Sequence, residues 1–285
     1  MNFINYNGEI LPANQAALTI SNRGFKYGDG VFETMRMINA QLMFADLHTE
    51  RLKSAMAALK LDNNLVFDET FLKERVVELA LRNGGIQNAR VRITVFRDGE
   101  GRYSPVSNQA AYAIEMDEIA ETSYIGNSRG LIVNVFEEIT KSVNYLSNYK
   151  TCNSLLFVMA GLYRKQNSLD DVFILNQNGF LCESMSSNVF VLFEKTLYTP
   201  SLAEGCVAGV MRDVVTKLAA SIDVPVIEAQ INPDVLNEAE EVFLTNAARG
   251  IQWVMGFNSK RYFNKLSRNL LMKLNEMPFR QNAQE

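Results

Sequence analysis

The sequence predicts a two-domain protein of mixed α and β structure, an α+β domain followed by an α/β domain. Three observations predict it. Residues 1–116 order their patterns as strands, two helices and two further strands, which is typical of an α+β domain. Residues 131–285 mix short apolar runs with amphipathic stretches, and the interdomain linker predicted at 117–130 is polar with little pattern. A length of 285 residues also suits two domains.

The elements of the first domain follow from local signals. Asn7-Gly8 is a favoured hairpin turn, and Gly84-Gly85 is a typical helix stop. The sequence predicts a hairpin at 3–11, a strand at 31–38, a helix N-capped by Asp46, a helix at 69–83, and strands at 89–96 and 110–116 with the loop 97–105 between them.

The second domain contains the longest apolar helix pattern, at 153–166. A loop at 200–209 enters another helix, and such a helix start suits an anion. The predicted elements are strands at 131–136, 171–176, 180–183, 189–193, 224–229 and 241–245, and helices at 153–166, 210–220, 233–237 and 261–279.

Composition excludes several functions. The net charge is −4 with a pI of about 5.3, and no basic stripe is present, so we expect no nucleic-acid partner. The longest apolar run, 155–162, is too short to cross a membrane, and the start does not resemble a signal peptide. Three cysteines without metal spacing suit reduced thiols, so we expect a cytoplasmic protein without a metal site. A single histidine, His48, disfavours a Ser-His-Asp triad.

Lys150 lies in a polar run directly before the helix predicted at 153–166. Desolvation disfavours the charged form of an amine and frees it to attack a carbonyl, as in a Schiff-base lysine. The alternative is a solvated lysine at a helix start, which is the commoner case.

Other features combine with this lysine. Arg51 lies three residues after His48 on one helix face, and a guanidinium suits a phosphate. Glu183 ends a hairpin strand before a serine-rich kink, and two small-residue turns precede 210–212 and follow 241–245. Pyridoxal phosphate requires such a set: a lysine for its aldehyde, a carboxylate for its ring nitrogen, and an arginine with N–H groups for its phosphate.

The motifs resemble those of the fold-type IV pyridoxal-phosphate enzymes, which include branched-chain and D-amino acid aminotransferases and aminodeoxychorismate lyases. The similar segments are 23–34, 47–52, 150–153, 183–190, 209–212 and 245–247. The resemblance implies a small N-terminal α/β sandwich domain, a larger C-terminal α/β pseudo-barrel domain, and a homodimer. It implies that Lys150 is catalytic and that the cofactor is bound by Arg51, Lys150, Glu183, Asn188, Val210, Met211, Asn246 and Ala247.

Lys141 also fits the lysine motif and fits it better locally. Spacing favours Lys150, because its distance of 33 residues to Glu183 matches the family's pattern. Lys141 would need nine extra residues between the helix and the strand. Ser154 stands where many of the aminotransferases have a tyrosine.

The resemblance leans toward the lyase, which forms 4-aminobenzoate and pyruvate in folate biosynthesis. Met211, the Asn246-Ala247 pair and the glycine-rich loop 97–104 resemble the lyases. The alternatives are a branched-chain or D-amino acid aminotransferase using 2-oxoglutarate, and a non-catalytic protein that binds pyridoxal phosphate. The substrate is expected to be a small amino compound. The residues expected to contact it are Tyr27, Phe32, Thr34, Arg97, Arg102 and Tyr103.

Overall fold

A computed structural model describes residues 2–15, 17–62 and 67–277. The chain divides into two compact units. The first runs from the N terminus to Thr122 and includes Tyr149–Ser154; the second contains Ser123–Asn148 and the chain from Leu155 onward. The division between Thr122 and Ser123 falls inside the stretch 117–130. The segment that carries Lys150 therefore belongs to the first unit, although it lies in the second half of the sequence.

In the described residues, the first unit has a six-stranded sheet whose paired strands are all antiparallel, in the order β2-β1-β6-β5-β3-β4. Its strands are β1 (Phe3–Tyr6), β2 (Glu9–Pro12), β3 (Gly30–Ile38), β4 (Gln41–Leu42), β5 (Ala89–Arg97) and β6 (Ala110–Glu118). Its helices are α1 (Arg23–Tyr27), α2 (Ala45–Ala58) and α3 (Glu69–Arg82).

One face of this sheet carries the core of the first unit. Alternate β3 and β5 residues, such as Met35 and Ile93, are fully buried in one apolar cluster with Leu52 of α2 and Val76 of α3. The intervening residues of both strands, including Phe32 and Thr34, lie on the opposite face because strand side chains alternate. The sheet therefore presents a second face on which β3 and β5 carry polar and aromatic groups.

The second unit is built on a larger mixed sheet. Its described part has nine strands, with the order β12-β11-β10-β13-β14-β7-β8-β9 and with β15 paired to β14. The strands are β7 (Leu131–Lys141), β8 (Asp171–Asn176), β9 (Leu181–Ser184), β10 (Asn188–Phe193), β11 (Thr196–Pro200), β12 (Val226–Ala229), β13 (Glu241–Asn246), β14 (Gly250–Phe257) and β15 (Lys260–Arg261). The α-helices are α4 (Leu155–Gln166), α5 (Val210–Ala220) and α6 (Lys265–Glu276), and short 3₁₀ helices cover Leu202–Glu204 and Pro233–Asn237.

Several elements differ from the sequence-based prediction. Residues 23–27 form helix α1, for which the sequence analysis predicted no element; Asn22 caps its start by accepting a 2.8 Å bond from the Gly24 N–H. Helix α2 begins at Ala45 after Phe44 in a left-handed conformation, so the prediction that Asp46 is the N-cap is wrong. Strand β7 extends to Lys141 rather than ending at 136. The predicted C-terminal helix starts at Lys265, and its predicted end at 279 lies outside the described residues.

None of the described helices combines the length and apolar character that a membrane span requires.

Candidate active site

A buried network in the first unit centres on Glu33 of β3. The Arg51 guanidinium donates from Nε to one Glu33 oxygen at 2.8 Å and from Nη2 to the other at 2.5 Å. The Nδ1 atom of His48 lies 2.7 Å from the second oxygen. His48 and Arg51 lie three residues apart on α2, and the structure confirms that they share a face. The face they share is turned toward β3.

The charges in this network follow from burial and pairing. Burial alone would raise the pKa of Glu33, but the Arg51 charge and the hydrogen bonds from His48 and Arg51 outweigh it and lower the pKa to about 2. Burial lowers the pKa of His48 below its ordinary value, against the opposing effect of Glu33. His48 is therefore neutral near pH 7 and donates its Nδ1 proton to an ionised Glu33.

The Lys150 segment pairs with β3 through one isolated bridge and is not part of a strand. The Phe32 N–H donates to the Lys150 carbonyl at 2.9 Å, and the Cys152 N–H donates to the Gly30 carbonyl at 2.9 Å. Thr151 forms an antiparallel bridge with Val31. The sequence predicted a polar turn here, and the bonds to β3 instead hold the segment extended and fix the position of Lys150.

The Lys150 side chain lies against an aromatic ring. Its Nζ is 4.6 Å from the centroid of the Phe32 ring. The guanidinium carbon of Arg92, on the neighbouring strand β5, is 3.7 Å from the same centroid. Both distances are typical of cation–π contacts. Two cationic groups therefore contact the Phe32 ring, on the sheet face opposite the core of the first unit.

Glu183 is the penultimate residue of strand β9 in the second unit, and it is nearly fully buried. Lys141 Nζ, at the end of β7, donates to one of its oxygens and also to the Ser147 carbonyl at 3.1 Å. The Val207 N–H donates to the other oxygen at 3.0 Å. Each carboxylate oxygen can accept a second hydrogen bond. The pair thus retains capacity for a further N–H donor such as a protonated ring nitrogen.

The start of α5 forms an anion cradle in the second unit. No described side chain caps this helix, whose N-cap is Gly209. A Cβ added at Gly209 would lie 1.9 Å from the Asn188 side-chain oxygen, so only glycine fits there. The hydroxyl of Thr245, opposite Asn188 in the β10–β13 register, is buried without a partner among the described residues. Backbone N–H groups at a helix start and a hydroxyl are suitable phosphate ligands.

Of the predicted cofactor residues, Asn246 is the last residue of β13 and Ala247 begins the turn that follows it. The Asn246 side-chain oxygen accepts from the Ala248 and Arg249 N–H groups at 3.1 and 2.8 Å, and its amide donates to Ser187 at 2.9 Å. The Tyr124 hydroxyl donates to the Ala247 carbonyl at 3.2 Å. These bonds tie the turn to the serine-rich kink that follows Glu183.

Arg97, predicted to clamp a substrate carboxylate, lies in a saturated internal site. Its Nε donates to Asp29 at 3.0 Å, Nη1 donates to Asn108 at 2.5 Å, and Nη2 donates to the Leu59 carbonyl at 2.6 Å. Arg23 shares the same Asp29 oxygen at 2.8 Å. The clamp role stays a prediction, and these contacts favour a structural role in fixing the loop 97–105.

The other predicted substrate residues lie on the first unit. Tyr103 is 91% exposed, and its ring centroid is 5.7 Å from that of Tyr27. Arg102 is exposed, and its carbonyl accepts a hydrogen bond from Arg23. Thr34 stands opposite Arg92 in the β3–β5 register. Thr34 and Phe32 are thus on the same sheet face as Arg92, while Arg102 and Tyr103 are on the loop.

The predicted residues fall into two sets. Lys150 and Arg51 belong to the first unit with all six predicted substrate residues, whereas the second unit holds the remaining cofactor residues: Glu183, Asn188, Val210, Met211, Asn246 and Ala247. The sequence interpretation missed Glu33, Arg92 and the partnership of Lys141 with Glu183. Strand alternation could have placed Glu33 on the α2 side of β3, but no local signal connects Lys141 to a residue 42 positions away.

No group of three or more His, Cys, Asp or Glu side chains in the described ranges could hold a metal ion.

Comparison with known proteins gives one family. A family model of class IV amino-transferases matches residues 30–255. A putative branched-chain-amino-acid aminotransferase of Methanocaldococcus jannaschii is 28% identical over 280 residues, covering 95% of this chain and 93% of that protein. An aminodeoxychorismate lyase of Vibrio harveyi is 25% identical over 268 residues, covering 92% and 97%. The T.th. branched-chain amino acid aminotransferase, solved with pyridoxamine 5'-phosphate, superposes with a TM-score of 0.86 at 20% identity over 96% of this chain and 93% of that chain.

The fold and these matches define a pyridoxal-phosphate-dependent enzyme with the two-domain fold-type IV architecture. The chain belongs to the class IV aminotransferase family.

The residues present fit the cofactor of this family, pyridoxal 5'-phosphate. The glycine-dependent cradle at the start of α5 and the buried, unpartnered Thr245 hydroxyl suit its phosphate. The ionised pair of Glu183 and Lys141 suits a ring nitrogen that must carry a proton. The donor set, taken unit by unit, therefore matches the chemistry of the group.

Proposed function

We propose that this enzyme is a 4-amino-4-deoxychorismate lyase, which converts its substrate to 4-aminobenzoate and pyruvate. The proposal rests on one observation, the residue types in the two turns that are expected to bind the cofactor phosphate. At Met211, 1% exposed, and at Asn246-Ala247, this chain lacks the hydroxyls of the aminotransferase pattern and resembles the lyases. The loop 97–104 supports the same assignment.

We assign the roles by motif. Lys150 is assigned to the cofactor aldehyde and Glu183 to the ring nitrogen. Arg51 and the turn at Val210 and Met211 are each assigned to the phosphate. Lys141 is then not the Schiff-base lysine, because its Nζ is bonded to Glu183 and Ser147. This supports the spacing argument for Lys150.

Pyridoxal phosphate supplies an aldehyde that bonds to amines and a protonated ring that accepts an electron pair. Glu183, hydrogen-bonded by Lys141 and the Val207 N–H, would accept a hydrogen bond from the protonated ring nitrogen. With the substrate bound, the Lys150 amine would remove the proton from the amine-bearing carbon. Lys150 then returns a proton to the departing enolpyruvyl carbon, the ether C–O bond breaks, and the carbocycle becomes aromatic as pyruvate leaves.

The test supplies purified enzyme with aminodeoxychorismate and no oxo acid. The proposal predicts fluorescent 4-aminobenzoate and an equal amount of pyruvate. Absence of both products, from protein that carries pyridoxal phosphate, would contradict it. Protein that stays colourless after addition of pyridoxal phosphate would contradict both the lyase proposal and the alternatives that bind this cofactor.

Amino transfer is the second candidate function. The relative from Methanocaldococcus jannaschii, similar along nearly the whole of both chains, is named as an aminotransferase, and this observation favours it. In that case Lys150 would serve as the base and acid of the site, the cofactor would carry the amino group, and an oxo acid would accept it. Transfer from leucine or D-alanine to 2-oxoglutarate, together with no 4-aminobenzoate, would identify this activity.

We also propose that the enzyme is a cytoplasmic homodimer and that a second copy covers one face of α4. Leu155, Val158 and Leu162 are 73%, 54% and 49% exposed, and their spacing places them on one side of the helix. An apolar stripe of this kind on a surface helix is typical of an interaction site.

Sedimentation tests this proposal. Val158→Glu is expected to shift the sedimenting species from dimer to monomer, while Lys165→Glu on the same helix leaves it a dimer. A monomeric wild-type protein would contradict the proposal.

A further inference from the structure

We infer that Glu33 is a positioning residue that holds the Arg51 guanidinium ready for the cofactor phosphate. The inference rests on the proposed function, which gives Arg51 that role. Glu33 is 2% exposed and lies on β3, whereas Arg51 lies on α2. Their two hydrogen bonds, at 2.8 and 2.5 Å, fix the guanidinium from one edge.

The two bonds determine the orientation of the guanidinium as well as its position. A bidentate arginine–carboxylate pair fixes the plane of the fork. A free arginine side chain loses rotamer entropy when it is immobilised. In this protein Glu33 has already ordered Arg51, so phosphate binding does not bear that cost.

His48 secures the carboxylate from the other side. Its Nδ1 lies 2.7 Å from the Glu33 oxygen that also receives Arg51 Nη2. Because His48 is neutral, it adds a donor without adding a positive charge. The Nε2 atom of His48 is buried without a partner among the described residues. Within that part of the chain the imidazole is therefore held by a single hydrogen bond, and that bond goes to Glu33.

Glu33 also offsets the positive charge of Arg51. This charge effect weakens phosphate binding, whereas positioning of Arg51 strengthens it. If Glu33 only neutralised Arg51, its removal would strengthen the attraction for a phosphate dianion. If Glu33 positions Arg51, its removal weakens phosphate binding despite the gain in net positive charge. The direction of the change therefore separates the two roles.

The experiment compares two probes that differ only in the phosphate, pyridoxal phosphate and pyridoxal. Equilibrium dialysis against apoenzyme gives the ratio of their dissociation constants. Glu33→Gln keeps the shape of the side chain and removes its charge. Positioning predicts that the preference for pyridoxal phosphate falls at least about tenfold, the effect of losing one charge-assisted contact. An unchanged or higher preference, in folded protein, overturns the inference.

Two controls test whether Glu33 affects the preference for pyridoxal phosphate through Arg51. Glu78→Gln removes a carboxylate from an exposed arginine pair on α3 and is expected to leave the preference unchanged. In an Arg51→Gln background, Glu33→Gln is expected to cause no further loss, because Glu33 acts through Arg51. A further loss of similar size in that background would contradict positioning.

Two further outcomes are distinguishable. If Glu33→Gln does not fold, Glu33→Asp keeps the charge and withdraws it by one methylene, and a drop of about threefold or more is expected; an unchanged preference overturns the inference. If the wild-type enzyme binds pyridoxal phosphate no better than pyridoxal, the phosphate role of Arg51 fails and this inference fails with it. Retained wild-type preference with an unaffected Glu33→Gln variant overturns the inference alone.

Discussion

The Lys141 ammonium donates a hydrogen bond to the Glu183 carboxylate within the second unit, and both side chains are almost completely buried. The pair joins the end of β7 to the end of β9, with strand β8 between them. A buried carboxylate stays ionised only when such partners compensate it. Lys141 is thus the buried ion-pair partner of Glu183, the residue that is expected to face the cofactor ring nitrogen.

Removing this lysine is expected to be costly. Lys141→Met leaves the buried Glu183 charge without its cation, and loss of one partner of a buried pair costs about 3–5 kcal/mol. Denaturant unfolding measures the change. Lys73→Met, which breaks an exposed pair with Glu69, is the matched control and is expected to cost less than about 1 kcal/mol. Equal costs for the two variants would show that the buried pair is not needed for stability.

Gly209→Ala tests the anion cradle. The added Cβ would lie 1.9 Å from the Asn188 side-chain oxygen, so either the amide or the helix start must move. We expect the affinity for pyridoxal phosphate to fall by about tenfold or more, which is the equivalent of one lost contact. Gly161→Ala on α4 faces only the Met185 sulfur at 3.3 Å and should leave cofactor affinity unchanged. Unimpaired binding by Gly209→Ala would place the phosphate elsewhere.

His48 is the single histidine of the chain, so its NMR signals need no assignment by mutation. Burial lowers its pKa, and its Nδ1 donates to Glu33. We expect a neutral ring with a protonated Nδ1 and a bare Nε2 as the pH falls through the ordinary value of 6.5. Below about pH 6.5 the unfolded chain binds a proton at His48, whereas the folded protein does not. The stability that the neutral His48 contributes is therefore present above about pH 6.5 and is lost as the pH falls below it. Titration of the folded protein at or above about pH 6.5 would contradict the assigned network.

Asp171 gives an opposite pH dependence. Burial raises the pKa of this carboxyl to about 6, against the hydrogen bonds from the Val172 and Met185 N–H groups. Its contribution to stability is complete below the unfolded value of about 3.8 and is lost as the pH rises through about 6. Relative to Asp171→Asn, the wild type should lose up to about 3 kcal/mol between about pH 4 and pH 7. Urea unfolding at both pH values measures this difference.

The exposed Asp234 provides the control for that measurement, and Asp234→Asn should track the wild type at both pH values. A constant difference in stability between wild type and Asp171→Asn would show that Asp171 does not titrate in this range.

Most of the secondary structure of the second unit could be predicted from the sequence, because its elements have strong local signals. Helix α5 begins and ends as predicted, at Val210 and Ala220, because a glycine loop precedes it and its apolar residues repeat at helical spacing. The family motifs likewise predict the cofactor residues as a set, and their roles stay predictions. Strand β14 was missed, since Gly250 and Gln252 interrupt its apolar pattern.

Other features depend on contacts that no sequence window contains. Lys150 lies in a segment paired with β3 because Gly30 and Phe32 of the first unit bond to it. Arg97 is internal because Asp29, Asn108 and the Leu59 carbonyl surround it, although its position beside a glycine-rich loop favoured a substrate contact. Such long-range pairings decide whether a charged side chain faces a ligand or the protein.

The most direct test of the account is to identify which lysine carries the cofactor. Borohydride reduction of the enzyme loaded with pyridoxal phosphate, followed by protease digestion and mass spectrometry, locates the modified residue. The account predicts the label on Lys150, retained in Lys141→Met and lost in Lys150→Ala. A label on Lys141, or full activity of Lys150→Ala, would contradict it.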